Sequence, residues 1–199
     1  MRELPLRDDE LVLRIVEQDD LTELYELIYK DDHPEWKKWD APYYPLEREP
    51  YERFVHHTLA RLEADQKAAR PASSRVIEAD GEIVGLISYY IEDPLSMWLE
   101  MGIIIYKPSR WGRGIGTRSL HMWSGHLFEN LPIVRVGLTT WSGNERMMKA
   151  ATKIGLQIEG RMRKCRFVLG DYYDSIRMGM LREEWEQKLS SETDGNAYN

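Results

Sequence analysis

The 199-residue sequence predicts an α/β domain: a mixed, mostly antiparallel sheet of six or seven strands with helices on both faces. Three observations carry that prediction. Residues 75 to 106 hold three β-rich runs in succession, which read as an antiparallel meander. Residues 107 to 117, Lys-Pro-Ser-Arg-Trp-Gly-Arg-Gly-Ile-Gly-Thr, set three alternating glycines between an apolar strand and a helix-like stretch. With Val134 to Thr140 beyond it, that stretch forms a βαβ crossover, so its two strands should run parallel. A last pair of runs faces itself across Gly170-Asp171.

Each element has its own warrant. Leu11 to Val16 is rich in branched apolar residues and reads as a first strand. Asp20 caps a helix with Glu23 three residues on, and Leu21, Leu24, Tyr25 and Ile28 share one face. His33 to Pro45 packs Trp36, Trp39, Tyr43 and Tyr44 around three prolines and reads as an aromatic loop. A second amphipathic helix fits Tyr51 to Ala64 and is broken by Arg70-Pro71-Ala72-Ser73. Strands follow at Arg75 to Ala79 and Glu82 to Ile91, turned by Asp80-Gly81, and at Met97 to Tyr106. After the glycine loop, Leu120, Trp123, Ser124 and Leu127 make the inward face of a helix. A shorter helix carries Met147, Ala151 and Ile154 and closes at Gly155. Strands at about Gln157 to Val168 and Tyr172 to Leu181 complete the sheet. One domain over residues 1 to 189 is expected, with 190 to 199 a frayed tail poor in apolar residues.

Composition narrows the function classes. A formal net charge of −7 argues against a general nucleic-acid binder and mildly favours a cationic partner such as an amine. The single cysteine, Cys165, excludes an internal disulfide framework, and as an alternating strand residue it is expected to be a packed thiol. No charged N-terminal segment leads into an apolar stretch long enough for secretion or membrane spanning, so a cytoplasmic location without a membrane partner is expected. His56 and His57 diverge on one helix and His121 and His126 are five apart, so no metal site is expected.

The glycine loop carries the strongest chemical signal. Glycine lets backbone turn tightly and approach a ligand, and the helix that follows aims free N–H groups and a positive dipole end at an anion. Gly112, Gly114 and Gly116 fit neither G-x-x-x-x-G-K-[ST] nor a dinucleotide fingerprint, since Thr117 stands where the latter needs glycine. A tight corner that binds nothing is the bland alternative. Arg110 and Arg113 within the turn suit a pyrophosphate better.

Trp111-Gly112-Arg113-Gly114-Ile115-Gly116, followed by Asn144-Glu145-Arg146 and Lys153-Ile154-Gly155-Leu156, resembles the GNAT superfamily of acetyl-CoA-dependent N-acetyltransferases. Glu159 to Arg163 with Gly170 to Ser175 is similar to the C-terminal strand pair of the branch that acetylates ribosomal-protein N-termini and spermidine. The resemblance covers roughly Leu11 to Trp185 and implies acetyl-CoA as cofactor. It implies that Trp111, Gly112, Arg113, Gly114, Ile115, Gly116 and Thr117 hold the diphosphate, chiefly through the amides from Arg113 to Thr117. It also implies that the strand residues Ile103, Ile104 and Ile105 contact the cofactor, with Gly102 marking a bulge beside pantetheine. Asn144 matches an asparagine that contacts the pantetheine arm, and it also suits a helix cap. Where many relatives keep a tyrosine acid seven residues on, this chain has Ala151.

The same resemblance implies direct attack of a neutral amine on the thioester. At pH 7, deprotonation costs roughly 1 kcal/mol for an α-amino group and about 4.5 kcal/mol for an alkyl ammonium. A protein or peptide N-terminus is therefore the favoured acceptor. A small amine, such as a polyamine or an amine-bearing toxin, and a non-catalytic acetyl-CoA-binding module are the alternatives. Glu100 is the candidate base, acting through water, against the alternative of a solubilising strand carboxylate. Ser142 is a candidate proton donor to the thiolate, or simply a turn serine. Trp36, Trp39, Tyr43 and Tyr44 lie in the substrate-covering segment and are candidate pocket residues, though packing of a Pro-rich loop would also explain them. Pairing of sheet edges between copies makes a homodimer an expectation.

Overall fold

The structure, a computed structural model, describes residues 3–196. Its strands and helices run β1 (Leu6–Asp8), β2 (Leu11–Ile15), α1 (Leu21–Tyr29), α2 (Tyr51–Lys67), β3 (Ser74–Ala79), β4 (Glu82–Asp93) and β5 (Trp98–Ile105). They continue through α3 (Ile115–Asn130), β6 (Arg135–Trp141), α4 (Glu145–Ile154), β7 (Gln157–Val168), β8 (Asp171–Leu181) and α5 (Arg182–Asn196). The eight strands form one sheet in the order β1-β2-β3-β4-β5-β6-β8-β7. Among the described residues only β5 and β6 pair in parallel.

The sheet is mixed and mostly antiparallel, as expected, with one strand more than the sequence predicts. The addition is β1, three residues long and paired with β2 through a tight turn in which Asp9 has φ 50°. Other departures are local. The aromatic loop contains a short 3-10 turn over Glu35–Lys38. Gly102 pairs in register with Ser88, and the irregularity of the β4–β5 ladder lies instead between Ile91 and Asp93, so no bulge marks Gly102. The segment expected to fray beyond residue 189 continues α5 to Asn196, while residues 197–199 lie outside the described residues. Glu, Gln, Lys and Leu are good helix formers, and they propagate the helix from the buried anchor Trp185.

The two faces of the sheet are covered differently. On one face, α3, α4 and α5 bury the main core, in which Leu99, Met101, Leu138, Ile176 and Met178 meet Leu120, Trp123, Leu127, Ala151 and Trp185. On the other, α1 and α2 cover only the β2–β4 side, with Val76 and Ile83 against Leu21, Leu24 and Leu62 in a second cluster. Side chains alternate along a strand, so Trp98, Glu100, Arg135, Gly137, Thr139, Trp141 and Arg177 point to that second face. There the aromatic loop reaches over the strands, through a hydrogen bond from Trp141 Nε1 to the Trp39 carbonyl at 3.0 Å.

Candidate active site

The sheet opens where the parallel pair β5–β6 ends. β5 and β6 are in register at Leu99 with Val136 and at Glu100 with Gly137. Beyond those two pairs β5 follows β4 and β6 follows β8. The strands diverge, leaving the edge of Ile103, Ile104 and Ile105 without a partner on the β6 side. These three residues line a groove of about 430 Å³ that also takes in the glycine loop and one side of α4.

Local conformation explains the loop. Gly112 and Gly114 have φ of 75° and 79°, the left-handed region in which a side chain is strained, and a Cβ at Gly112, Gly114 or Gly116 would point into open space. Gly114 is the N-cap of α3, and no side chain caps its first turn. The first-turn N–H groups of a helix have no partner within the helix, so this end presents donors and positive dipole to the groove. Trp111 closes the loop from the other side: its Nε1 donates to the Ile105 carbonyl at 2.8 Å, fastening the turn to the end of β5.

Of residues Trp111 to Thr117, all but Arg113 line the groove; the Arg113 side chain is exposed. Arg110 reaches the groove wall, but its guanidinium is committed to Glu82 at 2.8 Å and Asp80 at 2.7 Å. Hydrogen bonds to Glu82 and then Asp80 hold its pKa above the usual arginine value. Neither arginine of the turn therefore aims its charge into the groove. The cations that do line it are Arg146, Lys149 and Lys153 of α4. The sequence signal for them was available, since they recur at three- and four-residue spacing on one helix face.

Asn144 begins α4 and lines the same groove. Its Oδ1 accepts the Met147 N–H at 3.0 Å, which is a helix cap, and its Nδ2 donates to the Trp39 carbonyl at 2.9 Å. One side chain thus ties α4 to the aromatic loop. Trp36 is buried with its ring at 5.3 Å from Tyr106, and Trp39 meets Trp111 edge-on at 6.4 Å. Arg146 stacks over both Trp39 and Trp111, at 4.5 and 5.1 Å. Trp36 and Trp39 therefore wall the groove itself, while Tyr43 packs on Trp141 at 6.4 Å and the exposed Tyr44 packs on Tyr43.

Glu100 sits at the vertex of the splay, facing away from α3, with its side chain fully buried. Buried carboxylates need partners, and it has three: Trp98 Nε1 at 2.9 Å, Thr139 Oγ1 at 3.1 Å and Arg135 Nη1 at 3.2 Å. Arg135 also pairs with Glu159. Two glycines make room for this chain of charges. A Cβ on Gly137 would strike the Arg135 guanidinium and the Glu100 carboxylate, and one on Gly179 would strike the Glu159 carboxylate. The solubilising role is thus excluded, because an exposed carboxylate would not be enclosed this way. Trp98 and Arg135 also wall a second cavity of about 310 Å³, with Glu159, Gly160 and Arg177.

Three other residues singled out in the sequence stand apart from the groove lining: the candidate donor Ser142, Ala151 where relatives keep an acid, and the thiol Cys165. Ser142 Oγ accepts the Asp174 N–H at 2.9 Å and ties β6 to β8. Ala151 is fully buried in the main core beneath α4. Cys165 is exposed rather than packed, because β7 loses register between Met162 and Arg166, and Lys164 takes φ 53° there, which ends the alternation that a packed thiol needs. Among the described residues no group of three or more His, Cys, Asp or Glu could hold a metal ion. No helix among them is long and apolar enough to cross a membrane.

A splayed parallel pair, an uncapped helix end facing a cation-lined groove, and a buried carboxylate at the vertex make a site suited to a long anionic ligand. Comparison with known proteins makes the assignment specific. The profile of the acetyltransferase (GNAT) domain matches residues 10–157, and the chain belongs to that family. It is 26% identical over 179 residues to the putative ribosomal N-acetyltransferase YdaF of Bacillus subtilis, covering 90% of this chain and 95% of that protein. It is 29% identical over 147 residues to the spermidine N(1)-acetyltransferase of Escherichia coli, covering 73% and 77%. With the prophage-derived uncharacterized N-acetyltransferase YokL of Bacillus subtilis it shares 33% over 110 residues, 55% of this chain and 62% of that protein, so the match spans less than two thirds of that relative. The solved structure of RimL, a ribosomal L7/L12 α-N-protein acetyltransferase in complex with coenzyme A, superposes with a TM-score of 0.72 at 20% identity, covering 89% and 98%. That likeness shows the fold. The chain is an acetyl-CoA-dependent acyltransferase.

Proposed function

We propose that the protein transfers an acetyl group from acetyl-CoA to the amino terminus of a protein or peptide. The observation that supports this most is the fit between the glycine loop and a diphosphate: open backbone at three glycines, an uncapped helix end, and Arg146, Lys149 and Lys153 around the rim. Together these offer main-chain donors and charge to phosphate oxygens. Acetyl-CoA supplies the activated thioester; the chain supplies position and proton handling. Residues Ile103 to Ile105 and Asn144 wall the passage for the arm, and Trp36 and Trp39 exclude water from it. On the far face, Glu100 removes a proton from the attacking amine through water, held in place by Trp98, Thr139 and Arg135. As the new C–N bond forms, the C–S bond breaks, and the thiolate takes its proton from solvent, since Ala151 offers none and Ser142 stands outside the groove lining.

A peptide terminus is favoured because one carboxylate is enough for its modest deprotonation cost, roughly 1 kcal/mol at pH 7. A relative named as a putative ribosomal N-acetyltransferase, matched over 95% of its length, supports the same reading. One observation favours a small polyamine instead: Glu92, Glu100 and Glu159 gather near the second cavity and would attract ammonium groups. The relative named as a spermidine acetyltransferase points the same way. Free CoA release measured over a panel of peptides and amines decides between them. Peptide amino termini should give the higher kcat/KM; spermidine turned over faster than every peptide would reverse the assignment. In the preferred substrate, Glu100→Gln should lower kcat about a hundredfold with acetyl-CoA affinity unchanged. An unaltered kcat would remove Glu100 as the base.

A further inference from the structure

The cavity beside Glu100 is built around one loosely held cation. Arg177 lies on β8 directly opposite Thr139 of β6, whose hydroxyl donates to Glu100. Its guanidinium stacks on Trp98 with Cζ 5.0 Å from the ring centre, and Trp98 also lies under Arg135 at 5.9 Å. The closest carboxylate, Glu92, is 3.7 Å away, too far for a hydrogen bond. Among the described residues, Arg177 Nη1 is shielded from water and has no acceptor at all. The Arg177 side chain is nonetheless 37% exposed and lines the cavity.

The contrast with its neighbour is informative. Arg135 meets two carboxylates, Glu100 and Glu159, and its charge is used up inside the protein. Arg177 is positioned by stacking, without a hydrogen bond from the described residues to fix its direction, so its planar fork can turn toward an oxygen in the cavity. A guanidinium donates and never accepts. Its natural guest is a carbonyl or carboxylate, and a dry N–H without a partner is costly until one arrives. A peptide amino terminus carries such an oxygen on its first peptide group, a few bonds from the attacking nitrogen. A polyamine carries none.

We propose that Arg177 donates to the carbonyl oxygen of the acceptor's first peptide group, making this cavity the pocket that selects peptide termini over simple amines. The inference rests on the peptide-acetyltransferase reading and names the residue that enforces it. Arg177 is a specificity residue, whereas Glu100 handles the proton. Gly160, opposite Arg177 on β7, keeps that side of the pocket free of a side chain.

The test is a two-by-two comparison of kcat/KM. Wild type and Arg177→Met are each assayed on a short peptide and on its analogue with the first peptide group replaced by an uncharged trans-alkene. Differences in amine basicity cancel between the two proteins, which leaves the coupling of Arg177 to that oxygen. Wild type should prefer the natural peptide by about tenfold to a hundredfold more than the variant does, the loss expected for one charge-assisted hydrogen bond. Equal discrimination by both proteins overturns the proposal. Calorimetric titration with acetyl-CoA should give the same affinity for both, and a variant that loses cofactor binding also overturns it, because Arg177 would then be structural. A wild-type protein that acetylates spermidine but no peptide removes the broader reading together with this one. Peptides acetylated with unchanged selectivity remove this one alone.

Discussion

Two helices begin at the groove, and they begin differently. The first turn of α4 is capped by Asn144, whose side chain takes the Met147 N–H and also holds the Trp39 carbonyl. The first turn of α3 starts from Gly114 in a left-handed conformation, with no side-chain cap and open space where its Cβ would be. A capped end has spent a donor on the protein. An uncapped end, in a sequence that has polar residues close by to cap it, keeps its donors for something else. The α4 terminus is therefore a structural joint between helix, loop and groove, and the α3 terminus is the end we propose as the anion seat.

Substitutions at the two ends should separate these roles. The largest effect belongs to Gly114→Val, which puts a β-branched side chain at φ 79° in the mouth of the seat. Loss of two amide contacts to phosphate should weaken coenzyme A binding by about 3 kcal/mol, roughly a hundredfold, in a calorimetric titration. Asn144→Ala should act first on the fold, costing about 1 kcal/mol of stability and lowering Tm by about 2–4 °C. Should it instead abolish coenzyme A binding while Tm stays put, the two ends would not differ as described. The smallest effect is expected at Arg110→Ala. Because that guanidinium faces Asp80 and Glu82, coenzyme A affinity should stay within about twofold, and denaturant unfolding should be almost unchanged, as expected for solvent-screened surface pairs. A tenfold loss of affinity there would return Arg110 to the seat.

The same contrast shows what the sequence disclosed. The strand, glycine turn and helix start were legible from the order Gly112, Gly114, Gly116, while the preference for a bound pyrophosphate over a bare corner rested on Arg110 and Arg113. The parallel pairing of β5 with β6 followed from the helix between them. The direction of the two arginines in the turn was not legible: Arg110 finds its partners about thirty residues back on the β3–β4 turn, a contact that no local spacing reports. The cations on α4 could have been found, since positions 146, 149 and 153 share one face. The second cavity could not, because Trp98, Arg135, Glu159 and Arg177 come from four strands and meet only through the sheet order β5-β6-β8-β7. Two elements, β1 and α5, escaped for a different reason. Three residues of β1 carry too little pattern to distinguish a strand from a tail, and the polar stretch of α5 lacks the apolar periodicity by which a helix is recognised.

The measurement that bears most directly on the anion seat is a pair of calorimetric titrations of the wild-type protein, one with coenzyme A and one with pantetheine, which lacks the diphosphate. If the amides at the start of α3 grip that group, coenzyme A binds at least about a hundredfold more tightly, the equivalent of about 2.7 kcal/mol. Equal affinity for the two compounds would contradict it.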